Sequence, residues 1–209
     1  MISWAVVGHE SRRIHATDLV HSLDAVASMD DGTLGADDNH LRAWSRVDHP
    51  RATHFGVMED DAILAPRFAE QVDAALAVAP TPIVSLYLGR SKPKRFQDRI
   101  SRALVAAGEQ GACWVTGTHM LHAVAIVMRA ELRDDWLEWA NTSTLPIDER
   151  MGMWCRNRGH SIGYAWPSLV NHRDLPTLVQ HRDGKTRTEP RVAWRTGTRE
   201  RWTDWAVEL

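Results

Sequence analysis

Three consecutive carboxylates, Glu59-Asp60-Asp61, follow the apolar pair Val57-Met58 and precede Ala62-Ile63-Leu64. Acids packed this closely repel one another, and burial raises the cost of keeping them ionised. A cation relieves both penalties. Carboxylate oxygens are hard ligands that suit Mg²⁺ or Mn²⁺, ions that commonly arrive with substrate phosphates. On an extended chain Glu59 and Asp61 point the same way and Asp60 the other. That arrangement offers one acid to an ion and its neighbour to a ribose hydroxyl or a metal-bound water. The chemistry suggested is that of a metal-bound nucleotide. A solvated acidic turn capping a helix at Pro66 would use the same residues without chemistry. A Ca²⁺ loop would need further oxygen ligands that the neighbouring sequence lacks.

Other polar positions fall at comparable places. His9-Glu10-Ser11-Arg12-Arg13 follows the first apolar run and carries no Gly-x-Gly fingerprint. His9, Glu10, Arg12 and Arg13 suit a base, a ribose or a diphosphate; an ordinary charged loop is the alternative. Asp30 and Asp31 could meet a nucleoside, or simply make a turn with Gly32. Asn39 and Arg42, three apart on a helix, share a face. Arg42 suits a diphosphate, although an exposed Arg would look the same. Asp148-Glu149 stands in a first helical turn, where acids stabilise the helix without further function. The functional alternative is a general base at Asp148 that deprotonates an attacking hydroxyl. His172 could complete a metal site begun by Asp61. The remaining histidines show no pairing, and no H-E-x-x-H zinc motif is present.

These positions need a frame. Ile2–Gly8 and Phe55–Met58 read as buried strands, Pro82–Gly89 as a third, and 25–27 as a short one. Cys113–Val115, Ala123–Met128 and Ser161–Trp166 read as further strands, the last of them closing the set. Helices are expected over about 14–23, from Asp37-Asp38 through Val47, from Pro66 to about 79, near 130–140 and after Pro146. The basic stretch after residue 89 reads partly as loop. Strands alternating with helices predict an α/β fold, a three-layer α/β/α sandwich with a mostly parallel central sheet. Ligands of such sheets bind beyond the carboxyl ends of the strands, where residues 9–13, 30–31, 59–61 and 89–90 would fall.

The chain has 209 residues, 44% of them hydrophobic, and a net charge of −2. That allows one core and gives no global attraction to nucleic acid or membrane. Cys113 and Cys155 lack metal or redox spacing and read as buried thiols of a reducing compartment. The N-terminus does not resemble a signal peptide, and no apolar run approaches a membrane span of about 18 residues. A cytoplasmic protein is expected. Arg outnumbers Lys 22 to 3, through a GC-rich coding genome, through selection for guanidinium forks on phosphates, or both.

The order of motifs resembles GT-A-type glycosyltransferases, most closely the family 25-like group that includes lipopolysaccharide galactosyltransferases. Gly35…Asn39-His40…Trp44, Glu59-Asp60-Asp61-Ala62, Gly117-Thr118-His119-Met120 and Pro146-Ile147-Asp148 stand in that family's order. A Tyr position is altered in the third motif. The resemblance spans roughly residues 2–172, is carried by four motifs that are short individually, and does not extend to the His9–Arg13 loop. It implies a GT-A-like catalytic domain over 1–175 and a basic Trp/Arg-rich extension over 176–209. It also implies a nucleotide-sugar donor such as a UDP-sugar, a divalent cation at Asp61, Glu59 on the donor, inversion at the sugar, and Asp148 as the acceptor-side base. The chain is also similar to small glycosyltransferases of actinobacterial phages, which implies the host cytoplasm.

The acceptor stays open. Basic segments 89–102 and 182–202 carry Phe96, Trp194 and Trp202, with Trp205 just beyond, and cations with aromatics suit nucleic acid. DNA bearing a hydroxymethylated base is one expectation; a glycan, a virion protein, or a solvated tail with no ligand are others. A non-catalytic nucleic-acid-binding module would leave the acid run unexplained. A two-metal nuclease or phosphohydrolase would need more convergent carboxylates.

Overall fold

The computed structural model describes residues 1–178 and 189–209. Expectations resting on Arg182, Lys185 and Arg187 lie outside the described residues.

Strand β1 (Ile2–His9) shows how one sequence serves two cores. Its alternate residues Ala5 and Val7 join one apolar cluster, and Trp4 and Val6 join the other. The first cluster is covered by α2 (Ala36–Arg46), α4 (Lys94–Gln110), α5 (Arg133–Ala140) and α6 (Ile147–Arg158). The second is covered by α1 (Arg13–Leu23) and α3 (Phe68–Leu76). A sheet buried on both faces explains the unbroken apolar runs of β1 and of β3 (His54–Glu59). Gly56 in β3 is required by close approach, because a Cβ there would lie 2.3 Å from the Trp4 ring.

The remaining strands of the central sheet are β2 (Val26–Asp30), β5 (Ile83–Ser85), β6 (Trp114–Gly117), β7 (Ala125–Arg129), β8 (Ile162–Ala165) and β10 (Ala206–Glu208). Eight strands run in the order β10-β6-β8-β5-β7-β3-β1-β2. The sheet is mixed and mostly parallel: four neighbouring pairs are parallel, while β7 opposes both its neighbours and β6 opposes β8. With helices on both faces this is a three-layer α/β sandwich. A separate antiparallel ladder joins β4 (Ala62–Leu64) to β9 (Val170–His172).

Several local expectations change. The helix after Pro66 starts at Phe68, because Arg67 takes a left-handed conformation with φ of 56°. Residues 94–110, read partly as loop, form a 17-residue helix. Its buried face of Phe96, Ile100, Ala103, Leu104 and Ala107 has helical spacing that the intervening charges obscured. Ser161–Trp166 is not the last strand, since β9 and β10 follow. Residues 189–209 run back over the domain: β10 extends the sheet beside β6, and Trp202 packs on Trp114 with ring centroids 5.5 Å apart. Among the described residues no helix is long and apolar enough to cross a membrane. Both cysteines are free and buried.

Candidate functional site

Parallel strands β2, β1 and β3 are neighbours, so their carboxyl ends deliver three loops to one edge of the sheet. β1 brings His9 and Arg12, β2 brings Asp30, and β3 brings Glu59, Asp60 and Asp61. The start of α2 adds Gly35, Asn39 and His40. Together these residues line a cleft of about 340 Å³, closed on its far side by Thr177, Leu178 and Arg191.

The acids divide their work. Asp60 accepts the His9 backbone N–H at 2.8 Å and an Arg12 guanidinium N–H at 3.2 Å, which ties the β1 loop to the β3 end. Burial holds its carboxyl above the ordinary range, although both of those partners pull it down. Asp61 Oδ2 accepts from Arg12 at 2.8 Å and lies 3.2 Å from His172 Nε2. The ladder that pairs Ala62 with His172 creates this neighbourhood. Burial first, and then the Glu59 charge, push the Asp61 carboxyl up to about 7. Burial and the Arg191 charge push the His172 imidazole down to about 4, so it is neutral; its Nδ1 accepts the Asp174 backbone N–H at 3.0 Å, which leaves the proton on Nε2 facing Asp61. Burial works against ionisation of Glu59 too. The His40 imidazole beside it and the charges around it win, and its carboxyl lies below the ordinary range.

Ligand atoms of Glu59, Asp61 and His172 all lie within 4.8 Å of one another. Asp61 Oδ1 is buried and has no hydrogen-bond partner among the described residues, the condition expected of an oxygen awaiting a ligand. Charge agrees in sign, since four carboxylates, Asp30, Glu59, Asp60 and Asp61, line the cleft against two guanidiniums, Arg12 and Arg191. The two carboxylates form a hard donor set of the kind that suits Mn²⁺ or Mg²⁺, and His172 Nε2 could join it on giving up its proton.

The other expected residues separate into two groups. Asn39 lines the cleft but is committed to the frame: its amide donates to Gly8 O at 3.0 Å, and its Oδ1 accepts from Ser28 and Arg42 at 2.7 and 2.9 Å. Asp30 lines the cleft while accepting the backbone N–H groups of Leu34 and Gly35, which hold its carboxyl below the ordinary range. Six expected residues do not line the cleft: His172, which stands behind Asp61, Asp148, Glu10, Arg13, Asp31 and Arg42. Glu10 and Arg13 pair with each other toward solvent, as residues three apart on one helical turn readily do. Asp31 binds Thr33 in a turn. Arg42 is turned inward and donates to Ser28 Oγ and the Met29 carbonyl.

Asp148 stands outside this cleft, in a second one of about 330 Å³ between α4 and α6. Burial pushes its carboxyl up to about 6. Of the aromatics expected to stack on bases, Phe96 and Trp202 are buried, and Trp194 donates to Gln97 at 3.1 Å. They are spent on packing; Trp205 is exposed. Lys92 and Lys94 are paired with Glu189.

Two cleft residues carried no individual expectation. His40 is buried, neither ring nitrogen has a hydrogen-bond partner among the described residues, and its Nε2 lies 3.5 Å from Glu59 Oε1. Only its place beside Asn39 in a helical motif marked it. Arg191 donates to Leu175 O and faces the acids from the C-terminal segment, a juxtaposition that no sequence spacing announces.

No protein-family model matches the chain, and no curated protein matches it. Among solved structures it is similar to the inositol-1-phosphate CTP transferase from T. maritima, with 8% identity and a TM-score of 0.40. The match covers 77% of this chain and 64% of that one, so the chain spans under two thirds of its length.

Proposed function

We propose that this protein is a metal-dependent glycosyltransferase of the family 25-like, GT-A kind, moving a sugar from a nucleotide-sugar donor to an acceptor hydroxyl. The observation that carries the reading is the Glu59–Asp61–His172 group, whose two carboxylates line a cleft of nucleotide size at the carboxyl edge of parallel strands, with His172 behind Asp61. A divalent ion held by Asp61 and His172, with Glu59 beside it, supplies charge neutralisation for a nucleoside diphosphate leaving group. Arg191 faces the same space and adds a second cation. Arg12 holds Asp60 and Asp61 in place from below. Glu59, kept ionised beside His40, accepts a donor hydroxyl. Asp148 takes the proton of the acceptor hydroxyl as it attacks the anomeric carbon, with inversion. The donor is a UDP-sugar, and hydroxymethylated phage DNA in a host cytoplasm is among the acceptors to test.

A thermal-unfolding panel of nucleotide sugars, each with and without Mn²⁺, tests this. The expected result is stabilisation by one donor that requires the metal. No response to any donor in the presence of Mn²⁺ removes the transferase reading. The ion-pair network of Arg12 with Asp60 and Asp61 would then stand as purely structural.

A further inference from the structure

The second cleft has its own construction. On the α6 side it is lined by Asp148, Glu149, Gly152, Met153 and Arg156, and on the α4 side by Pro93, Arg95 and Phe96. The turn 119–121 forms its floor, fastened by Tyr164, whose hydroxyl donates to His119 O and accepts Leu121 N–H at 3.0 Å. Phe96 lies between two partners there, the His119 ring at 5.0 Å and the Arg95 guanidinium at 5.0 Å. Arg156 donates one N–H to Thr118 O at 3.1 Å, which orients its fork over the same floor. Neither Arg95 nor Arg156 makes an ion pair with a carboxylate among the described residues, although both are exposed cations beside a buried aromatic surface.

The charges are sorted along the cleft. The charged groups that act on His119 are Arg156, Arg95 and Arg99, all cationic, and with burial they lower its pKa. Those that act on Asp148 are Glu149, Glu59 and Asp37, all acidic. One end of the cleft therefore attracts an anion, and the other holds a carboxylate able to take a proton. Guanidinium forks match phosphate oxygens, and an aromatic floor accommodates the flat or apolar part of the same molecule.

We infer that this cleft binds the acceptor, and that the acceptor carries a phosphate held by Arg95 and Arg156 while its hydroxyl faces Asp148. The inference rests on the reading of Asp148 as the acceptor-side base. The phosphate chemistry is common to a small phosphomonoester and to a nucleic-acid backbone, and the test separates them.

The test is a titration of the full-length protein with inorganic phosphate, followed by the His119 imidazole signals in NMR. A saturable shift in the millimolar range is expected. Arg95→Gln and Arg156→Gln should each weaken it at least fivefold, and the double variant should abolish it. Both side chains are exposed, so the variants should fold. Glycerol phosphate and a short single-stranded oligonucleotide are then titrated at equal phosphate concentration. Tighter binding of the first assigns a phosphorylated small acceptor, and tighter binding of the second assigns nucleic acid; either supports the site. Absence of a saturable shift, or an identical shift in the double variant, overturns it. The Mn²⁺-dependent response to nucleotide sugars is measured on the same samples. Loss of that response with phosphate binding intact would refute the glycosyltransferase reading and leave the anion site standing, and the reverse result would do the opposite.

Discussion

Asp61 receives one oxygen's worth of compensation for two oxygens' worth of burial. Arg12 and His172 both approach Oδ2, and Oδ1 has no partner among the described residues. Its carboxyl stands at about 7 against an ordinary 3.8. The folded protein therefore retains a proton that the unfolded chain releases. The stability this contributes is complete below pH 3.8 and is lost as pH rises through about 7. An ion competes with the same proton, so Mn²⁺ affinity measured by calorimetry should climb between pH 5.5 and 7 and then level off. A pH-independent affinity would dissociate Asp61 from the ion. Arg12 supports the opposite side of the group. Arg12→Ala leaves two buried carboxylates without their guanidinium and should cost about 3 kcal/mol in urea denaturation, with part of the loss restored by Mn²⁺. Asp148→Asn should leave donor binding intact and lower kcat by about 10² or more. At saturating Mn²⁺, which removes the Asp61 contribution, wild-type kcat/KM should rise with pH around the Asp148 value of about 6, and that rise should vanish in Asp148→Asn. An unchanged profile would remove Asp148 as the base.

The elements that hold these groups were unequally visible in the sequence. β1 and β3 announce themselves because both their faces are buried, which leaves uninterrupted apolar runs. α4 is amphipathic, but its N-terminal turns are so rich in Arg and Lys that the apolar spacing emerges only at Ile100. β4, β9 and β10 are three residues each, too short for any period to register, and it is β9 that carries His172 to Asp61. Loop residues near the acids looked equivalent in sequence. Backbone geometry then sent Arg12 inward to Asp60 and Asp61 and paired Arg13 with Glu10 in solvent. Among the C-terminal Trp residues, Trp202 is used for packing rather than left free to stack on a base. Trp202 donates to Gln71 Oε1 at 3.0 Å, and Arg199 donates to the Trp166 and Ala112 carbonyls. Trp202→Ala should therefore destabilise the protein by about 3 kcal/mol, measured by chemical denaturation. A change below about 0.5 kcal/mol would place this segment outside the core.

At the scale of the whole molecule, two clefts sit on one sandwich. One lies where three parallel strands end, and holds the acids, Arg12 and Arg191. The other lies between α4 and α6, and holds Asp148 with the guanidiniums of Arg95 and Arg156, neither in an ion pair among the described residues. The α/β class and the position of the acid cleft follow from strand–helix alternation, which sequence displays directly. The separation of Asp148 from the acids does not, because it depends on how α6 docks on the sheet. A reaction that joins two substrates uses such a division, a donor held by charge at a strand edge and an acceptor held beside a base. The central claim is that Asp61 holds an ion that a nucleotide sugar needs. Calorimetric titration of Mn²⁺ into wild type and Asp61→Asn, with and without the stabilising nucleotide sugar, tests it most directly. One ion per chain is predicted at pH 8, bound more tightly with the nucleotide sugar present and lost in Asp61→Asn. Equal stoichiometry and affinity in the two proteins would contradict it.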